Sequence, residues 1–532
     1  MPHVVTQACC ADASCVHACP VNCIHPTPDE PDFATAEMLY IDPDVCVDCG
    51  ACVGACPVGA IVPDDRLAPG EQVFLDLNAV LSTPSRPYPP QAPVPPIRRL
   101  ERDCGPAGEP LRVAIVGAGP AALYTADELL RQPGVEVTVF DRLPVPHGLA
   151  RHGVAPDHPR TRSVTDLFAL IEAQAGFTYR LGVEIGRDVT VDELSAAHDA
   201  VVYATGASTD RPLEIPGTGL AGSMSATQVV SWYNGHPDHV DARVPLDHER
   251  AVIVGNGNVA LDVARILATP SEALVGTDIS PVALAALRDS RIREIVVLGR
   301  RGPAQAAFTL PELVGLASRD DIDLRVDAPD GIDPAAETDP QRSLMLECLA
   351  EVAARAPRTG SPRIVLRFQT APVEVVGAER VEGLRIAATE LSNLDGAVRA
   401  VPRPGTEEVL PAGLVLRSVG YRGVPVPGVP FDPATGTIPH RDSRVLDRPG
   451  GAEVPGAYVV GWIKRGPRGF IGSNKTCARE TVDALLADAN AGLLGPAGDL
   501  DRAGFPDRTG LPDRAGRPER AGSRWSLVPQ RR

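Results

Sequence analysis

Nine of the twelve cysteines in this 532-residue chain fall within its first 56 positions, in two spaced runs. The second run, Cys46-x2-Cys49-x2-Cys52-x3-Cys56-Pro57, has the spacing of thiolate ligands to iron–sulfur cubanes. The first, Cys9-x2-Asp12-x2-Cys15-x3-Cys19-Pro20, repeats it with an aspartate at the second place. Three thiolates on one tight loop reach three corners of a cluster. The fourth of each run ligates the cluster of the other run, so two runs build two clusters reciprocally. The second cluster then takes Cys46, Cys49, Cys52 and Cys19, and the first takes Cys9, Cys15 and Cys56. Asp12 stands where the first cluster needs a fourth ligand, and its hard oxygen is a poorer partner for sulfide-bridged iron than thiolate. Either Asp12 holds a labile fourth iron, or that iron is absent and the cluster is [3Fe–4S]. Cys10 and Cys23 lie off the pattern and read as small buried residues, although Cys10 is close enough to substitute for Cys9. Disulfides fit poorly, because no signal peptide precedes the runs and the rest of the chain holds only Cys104, Cys348 and Cys477. Structural zinc would ask for separate four-ligand groups without the trailing Cys-Pro.

Further along, two glycine turns sit where a strand meets a helix. Leu111–Val116 reads as a buried strand, Gly117-Ala-Gly119-Pro-Ala-Ala122 as a turn and helix start, and the apolar spacing through Leu130 is helical. A second strand, Val135–Phe140, ends in Asp141, 24 residues beyond Gly117 and placed to accept a ribose hydroxyl. This is a dinucleotide-binding fingerprint. A copy follows at Arg250-Ala-Val-Ile-Val-Gly255-Asn-Gly257-Asn-Val-Ala260-Leu-Asp262. Its next strand, Glu294–Leu298, ends in Gly299-Arg300-Arg301 and lacks the carboxylate. A carboxylate repels a 2′-phosphate, whereas arginines clamp it, so the second site is expected to prefer NADP over NAD. Two fingerprints imply two dinucleotides, FAD in the first and NADP in an inserted second domain. Tyr203–Ala207 is expected to leave the first domain, with Leu414–Tyr421 and Ala457–Trp462 forming the return.

These residues resemble adrenodoxin-reductase-type ferredoxin–NADP reductases. Pro146-His-Gly148-Leu149-Ala-Arg151-His-Gly153-Val-Ala-Pro-Asp157-His158-Pro159 is similar to a segment of that family, as are Asn256–Asp262, Gly299–Pro303 and Gly461–Pro467. The likeness spans roughly 111–490. With the cysteine runs, the whole chain resembles an actinobacterial two-domain ferredoxin/ferredoxin–NADP reductase. The resemblance implies a seven-iron-type α+β ferredoxin domain, which favours [3Fe–4S] at Asp12, followed by an α/β double Rossmann-like FAD/NADP reductase. Carried over motif by motif, and beside Gly117 and Gly119, it implies FAD contacts at Ala121, Asp141, Leu149, Ile185, Trp462, Gly469, Phe470 and Ile471. It implies NADP contacts at Arg211, Asn256, Gly257, Asn258, Val259, Arg300, Arg301, Glu312 and again Gly469. It implies a hydride passing from NADPH to FAD and then single electrons to the clusters, with a ferredoxin or a haem enzyme as acceptor. No acid–base residue is required, although Asp157 and His158 are candidates for a place beside the flavin; a structural role in their turn is the alternative. A disulfide reductase would share the double fingerprint but needs a Cys-x2-Cys pair that the reductase half lacks. An electron-transfer module serving a larger synthase is the remaining competing class.

Composition sets the frame. The expected organisation is a ferredoxin domain over 1–82, a linker with nine prolines over 83–110, FAD segments over 111–208 and 413–495, an NADP domain over 209–412, and a low-complexity tail over 496–532. The tail repeats DRAGFP-like units that offer nothing to bury. Net charge is −17, which argues against nucleic acid. Residues 1–80 carry twelve acidic side chains and the single basic Arg66, a distribution suited to steering an electron carrier onto a basic face. No apolar run is long enough to span a membrane. A chain that opens so close to its cluster ligands leaves no room for a targeting peptide, and reduced thiols suit the cytoplasm. Only two lysines occur, Lys464 and Lys475, both in the segment 461–475.

Overall fold

The computed structural model describes residues 2–34, 36, 38–82, 98–101, 110–394 and 397–495. Most of the expected linker, the tail over 496–532 and Cys104 lie outside the described residues.

Residues 2–82 fold as an internal repeat around the cysteines. Strand His3–Val5 pairs antiparallel with Ile61–Pro63, and Ile24–His25 with Tyr40–Ile41. Each cysteine run ends in a one-turn helix, Ser14–Ala18 and Ala51–Ala55. The two loops share their backbone as well as their spacing. Ala11 and Asp48 take φ 56° and 55°, and Ala13 and Gly50 take φ 59° and 71°. Left-handed residues on either side of Asp12 and of Cys49 curl each loop into a tight turn, a concavity that suits an anionic, sulfur-rich group. Asp12 and Cys49 are thus equivalent places on superposable loops. Helix Val73–Leu81 closes the unit through Asn78, which is buried. Its Oδ1 accepts from the amides of Val5 at 3.1 Å and Ile41 at 2.9 Å, and its Nδ2 donates to the carbonyls of Val5 at 2.8 Å and Phe74 at 2.7 Å.

The remainder is built on two large sheets with helices against them, the first mixed, with antiparallel pairs among its first three strands, and the second wholly parallel. The first sheet has seven strands in the order His440–Arg441, Arg444–Leu446, Glu453–Val459, Ala200–Tyr203, Leu111–Val116, Val135–Asp141 and Phe177–Leu181. The strand order reverses beside Leu111–Val116, where ligands bind in open α/β sheets. Helices Pro120–Leu130 and Ser473–Asn490 pack along each other over this sheet. The second sheet has six parallel strands in the order Ser223–Ser225, Leu414–Arg417, Arg250–Val254, Glu294–Leu298, Arg363–Arg367 and Asp323–Asp327. The crossovers between the two domains pair with each other, Thr209–Asp210 antiparallel to Tyr421–Arg422.

One expectation is corrected here. Leu414–Arg417 was expected to open the return to the first sheet, but it pairs with Arg250–Val254 inside the second. The reason is packing: Leu414, Val415 and Leu416 are apolar and fully buried, so the strand fills the centre of the second sheet before the chain crosses back. The return begins after Arg417.

The ferredoxin unit rests directly on the reductase. Cys10, Val58 and Ala60 share one apolar core with Ala121, Tyr124 and Cys477. Because Asn78 bonds four backbone groups from strand, sheet partner and helix, Asn78→Ala is expected to cost the ferredoxin unit more than about 2 kcal/mol. Cluster absorbance should then be lost at lower temperature while flavin release is unmoved. Equal cluster melting in variant and parent would contradict this role.

Candidate functional site

The two loops enclose two cysteine-lined cavities. One is lined by Cys19, Cys46, Cys49 and Cys52, together with Cys23 and His3. The other is lined by Cys9, Cys15 and Cys56, with Cys10 and Asp12. This is the reciprocal partition expected from spacing. Burial pushes the Cys9 thiol up to about 12 and Cys52 up to about 11, and it raises Cys15 strongly. Converging buried thiols do not ionise together unless a cation compensates them, which is the donor chemistry of an iron site. Backbone amides already face the sulfurs: Ala11 N–H to Cys9 Sγ at 3.4 Å, Ala60 to Cys56 at 3.3 Å and Cys23 to Cys19 at 3.5 Å. Cys10 and Cys23 are buried at the cavity walls.

Asp12 differs from its counterpart Cys49. Its Oδ1 accepts from the Ser14 amide at 3.1 Å, and its Oδ2 accepts from Ser14 Oγ at 2.6 Å and Lys475 Nζ at 3.2 Å. Lys475 also donates to Ser14 Oγ at 2.7 Å. Both carboxylate oxygens are therefore engaged, one of them by the reductase.

The two glycine turns are built alike. Gly117 has φ 104°, and a Cβ there would meet the Ala204 carbonyl at 2.5 Å; Gly255 has φ 109° and would meet the Ser418 carbonyl at 2.1 Å. Any side chain is excluded at both. A Cβ on Gly119 or Gly257 would meet nothing within 4 Å, so each turn leaves open space at a helix N-terminus, as a pyrophosphate needs. Asp141 accepts from the amides of Ala118 at 2.7 Å and Leu143 at 2.8 Å, bracing the first turn. Burial raises its pKa while the two amides oppose the rise. Ala121 lies on the helix behind that turn, within 2.6 Å of where a Cβ on Gly461 would stand. Leu149 is on the short helix Gly148–His152, and Ile185 is buried against the far half of the first sheet. Trp462 Nε1 donates to the Gly469 carbonyl at 3.3 Å, closing the turn that presents Phe470 and Ile471.

At the second turn, Asn256, Gly257, Asn258 and Val259 are half-buried along its rim. Asn258 Oδ1 accepts from the Thr309 amide at 2.9 Å. Arg300 and Arg301 are exposed beyond their strand, their carbonyls held by Thr389 Oγ1 at 2.7 Å and the Gln369 amide at 3.1 Å. Among the described residues neither guanidinium is within salt-bridge distance of a carboxylate. Arg211 is exposed at the crossover, its amide donating to the Gly420 carbonyl at 3.0 Å.

Sequence reasoning missed the residue that joins these parts. Arg265, buried on helix Asn258–Ala268, takes Asp157 in two bonds of 2.8 and 2.9 Å and Asp262 at 2.7 Å, with Glu312 at 3.9 Å. His158, Asp262 and Glu312 approach within 4.8 Å of one another beside it. Burial pushes Asp262 up to about 6, and burial beside the Arg265 guanidinium lowers His158. The Glu312 side chain is bonded by Gln7, two residues before Cys9. Asp157 thus ties the first domain to the second, the structural alternative raised by its turn. An arginine three residues after Asp262 on a helical pattern was the available signal, but nothing local marks its partners. Arg265→Met should leave the half-buried carboxylates of Asp157 and Asp262 without their cation and cost about 3–5 kcal/mol. Thermal unfolding of the full chain, read by flavin release, checks this; a melting temperature within a degree or so of the parent would contradict it.

The comparisons agree with this geometry. The pyridine nucleotide-disulphide oxidoreductase family matches residues 111–294, and the 4Fe-4S binding domain family matches residues 39–62, the second cysteine run. A "probable ferredoxin/ferredoxin–NADP reductase" of Mycobacterium tuberculosis is 52% identical over 510 residues, covering 93% of this chain and 85% of the relative. The NADPH-ferredoxin reductase FprA of the same organism is 46% identical over 388 residues, covering 71% of this chain and 84% of its own. The solved structure of FprA in complex with NADPH aligns at TM-score 0.69 and 44% identity, over 74% of this chain and 88% of FprA. No helix among the described residues is long and apolar enough to cross a membrane. The chain belongs to the ferredoxin/ferredoxin–NADP reductase family, FAD-dependent oxidoreductases that carry a ferredoxin domain ahead of the reductase.

Proposed function

We infer that this chain takes a hydride from NADPH at its flavin site and delivers the electrons singly, through its own ferredoxin unit, to an external protein acceptor. The observation that carries this is one contact: the Cys9–Ser14 ligand loop lies against the turn Gly469–Gly472. FAD, when bound, supplies the conversion from a two-electron donor to one-electron acceptors. The chain's residues hold and orient. Gly117, Gly119 and Asp141 hold the FAD pyrophosphate and ribose, while Ala121, Leu149, Ile185, Trp462, Gly469, Phe470 and Ile471 bound the rest of the cofactor. Asn256, Gly257, Asn258 and Val259 hold the NADP backbone, with Arg211, Glu312 and Gly469 at its ends. Arg300 and Arg301 clamp the 2′-phosphate, a role supported by the absence, among the described residues, of a carboxylate within salt-bridge distance of either guanidinium. The Asp157–Arg265 tie keeps the cleft in register. The second cavity suits [4Fe–4S] with four thiolates. The first is read as [3Fe–4S], because Asp12 spends both oxygens on Ser14 and Lys475. Oxygen-sensitive clusters suit a cytoplasmic setting, with ferredoxins or haem enzymes as acceptors. NADPH-dependent reduction of cytochrome c by the purified full chain tests the reading as a whole, and absence of that activity in holoprotein with a full flavin and iron complement would refute it.

Two variants probe its parts. Arg300→Ala with Arg301→Ala should weaken NADPH far more than NADH, since each charge-assisted bond is worth about 1.5–3 kcal/mol. Equal losses for both nucleotides in KM titrations would remove the phosphate clamp. Asp12→Cys should add about one iron per chain and abolish the paramagnetic signal typical of an oxidised [3Fe–4S] cluster. A parent protein with about eight irons and no such signal would make Asp12 a ligand instead.

A further inference from the structure

The two cysteine cavities are not equivalent in their surroundings. Every described hydrogen bond between the cluster loops and the reductase falls at the first cavity. Gly472 N–H donates to the Cys10 carbonyl at 2.8 Å, and a Cβ on Gly472 would meet Asp12 N at 2.2 Å and the Ala11 carbonyl carbon at 2.4 Å. Backbone lies on backbone there. Thr161 Oγ1 donates to the Ala8 carbonyl at 3.4 Å, and Lys475 reaches Asp12 and Ser14. Ile471 packs with Cys9 and Cys56 against one apolar core. The turn is itself rigid: buried Asn474 donates to the carbonyls of Phe470 at 3.1 Å and Ile471 at 3.0 Å. The second cavity opens the other way. Cys49 is exposed, and Val47 beside it is 57% exposed. Val45 and Val53 are exposed on the same rim, with Asp44 and Asp48 among them.

We propose that electrons reach the ferredoxin unit at the Cys9–Cys15–Cys56 cavity, across the Gly472–Cys10 contact, and leave from the Cys19–Cys46–Cys49–Cys52 cavity through the rim Val45–Val53. The proposal rests on the functional reading above and adds its order. Tunnelling falls steeply with distance, so the cavity in contact with the flavin-site turn receives first. An exposed ligand loop with an apolar centre and an acidic surround fits a one-electron protein acceptor that presents a basic face. One NADPH supplies two electrons, so two such acceptors are reduced and one proton is released for each NADP⁺ formed. Lys475 is a positioning residue: it holds the Asp12 loop against the turn. The single departure from the eight-cysteine pattern therefore lies on the receiving side.

Freeze-quench electron paramagnetic resonance on the full holoprotein tests the order, with the flavin reduced in one arm by NADPH and in another by illumination with EDTA as the sacrificial electron donor. The parent should change its first-cavity signal before its second. Cys15→Ala should leave flavin bleaching intact and slow reduction of the second cluster at least tenfold. Cys49→Ala should leave reduction of the first cluster at the parent rate and cut reduction of cytochrome c, a basic acceptor, at least tenfold. Lys475→Glu keeps all cluster ligands, so it serves where a cysteine variant fails to fold. It should slow both clusters equally while flavin bleaching is unchanged. The proposal is overturned if the second cluster of Cys15→Ala fills at the parent rate, if the first cluster of Cys49→Ala stays oxidised, or if Lys475→Glu matches the parent. A flavin that light reduces but NADPH does not would contradict the functional reading, and the light arm would still decide the order.

Discussion

The arrangement depends on a close backbone approach at Gly472. A methyl group there would stand 2.2 Å from the Asp12 amide, a separation that neither backbone can relieve without moving apart. The absence of a side chain is what lets the cysteine loop lie on the turn that follows Trp462. Around that contact the molecule places polar ties, Lys475 to Asp12 and Gln7 to Glu312, so the ferredoxin unit is held at both the flavin-side turn and the nucleotide-side helix. Such ties are weak singly in water, yet those here are largely sheltered, where electrostatic pairing is screened less.

The buried ionic group around Arg265 is the second joint. It brings Asp157 from the first dinucleotide domain to Asp262 and Glu312 in the second. A buried charge group of this kind contributes less to stability than to a unique register, because its desolvation offsets much of its attraction.

Much of the site was legible because its signals are local. Ligand spacing in the cysteine runs follows from the reach of a tight loop, and the glycine turns follow from a strand meeting a helix. Arg300 and Arg301 could be found by counting along the second unit to the place of a missing acid. What the sequence could not show was long-range. Leu414–Arg417 reads like any buried strand, and only pairing with Arg250–Val254 assigns it to the second sheet. Gln7 and Arg265 carry no motif, since the partners that join them to another domain, Glu312 and Asp157, lie more than one hundred residues away. Lys475 stood out by the rarity of lysine, but nothing in its neighbourhood pointed to Asp12, 463 residues earlier. The order of the two clusters was likewise beyond spacing, because a reciprocal ligand set is symmetric.

The central claim is that the cavity with the aspartate faces the flavin. Anomalous scattering from iron in crystals of the loaded full-length protein measures this directly. The account predicts that the iron group nearer the isoalloxazine is bound by Cys9, Cys15 and Cys56, beside Gly472. An iron group bound by Cys46, Cys49 and Cys52 lying nearer the flavin would contradict it.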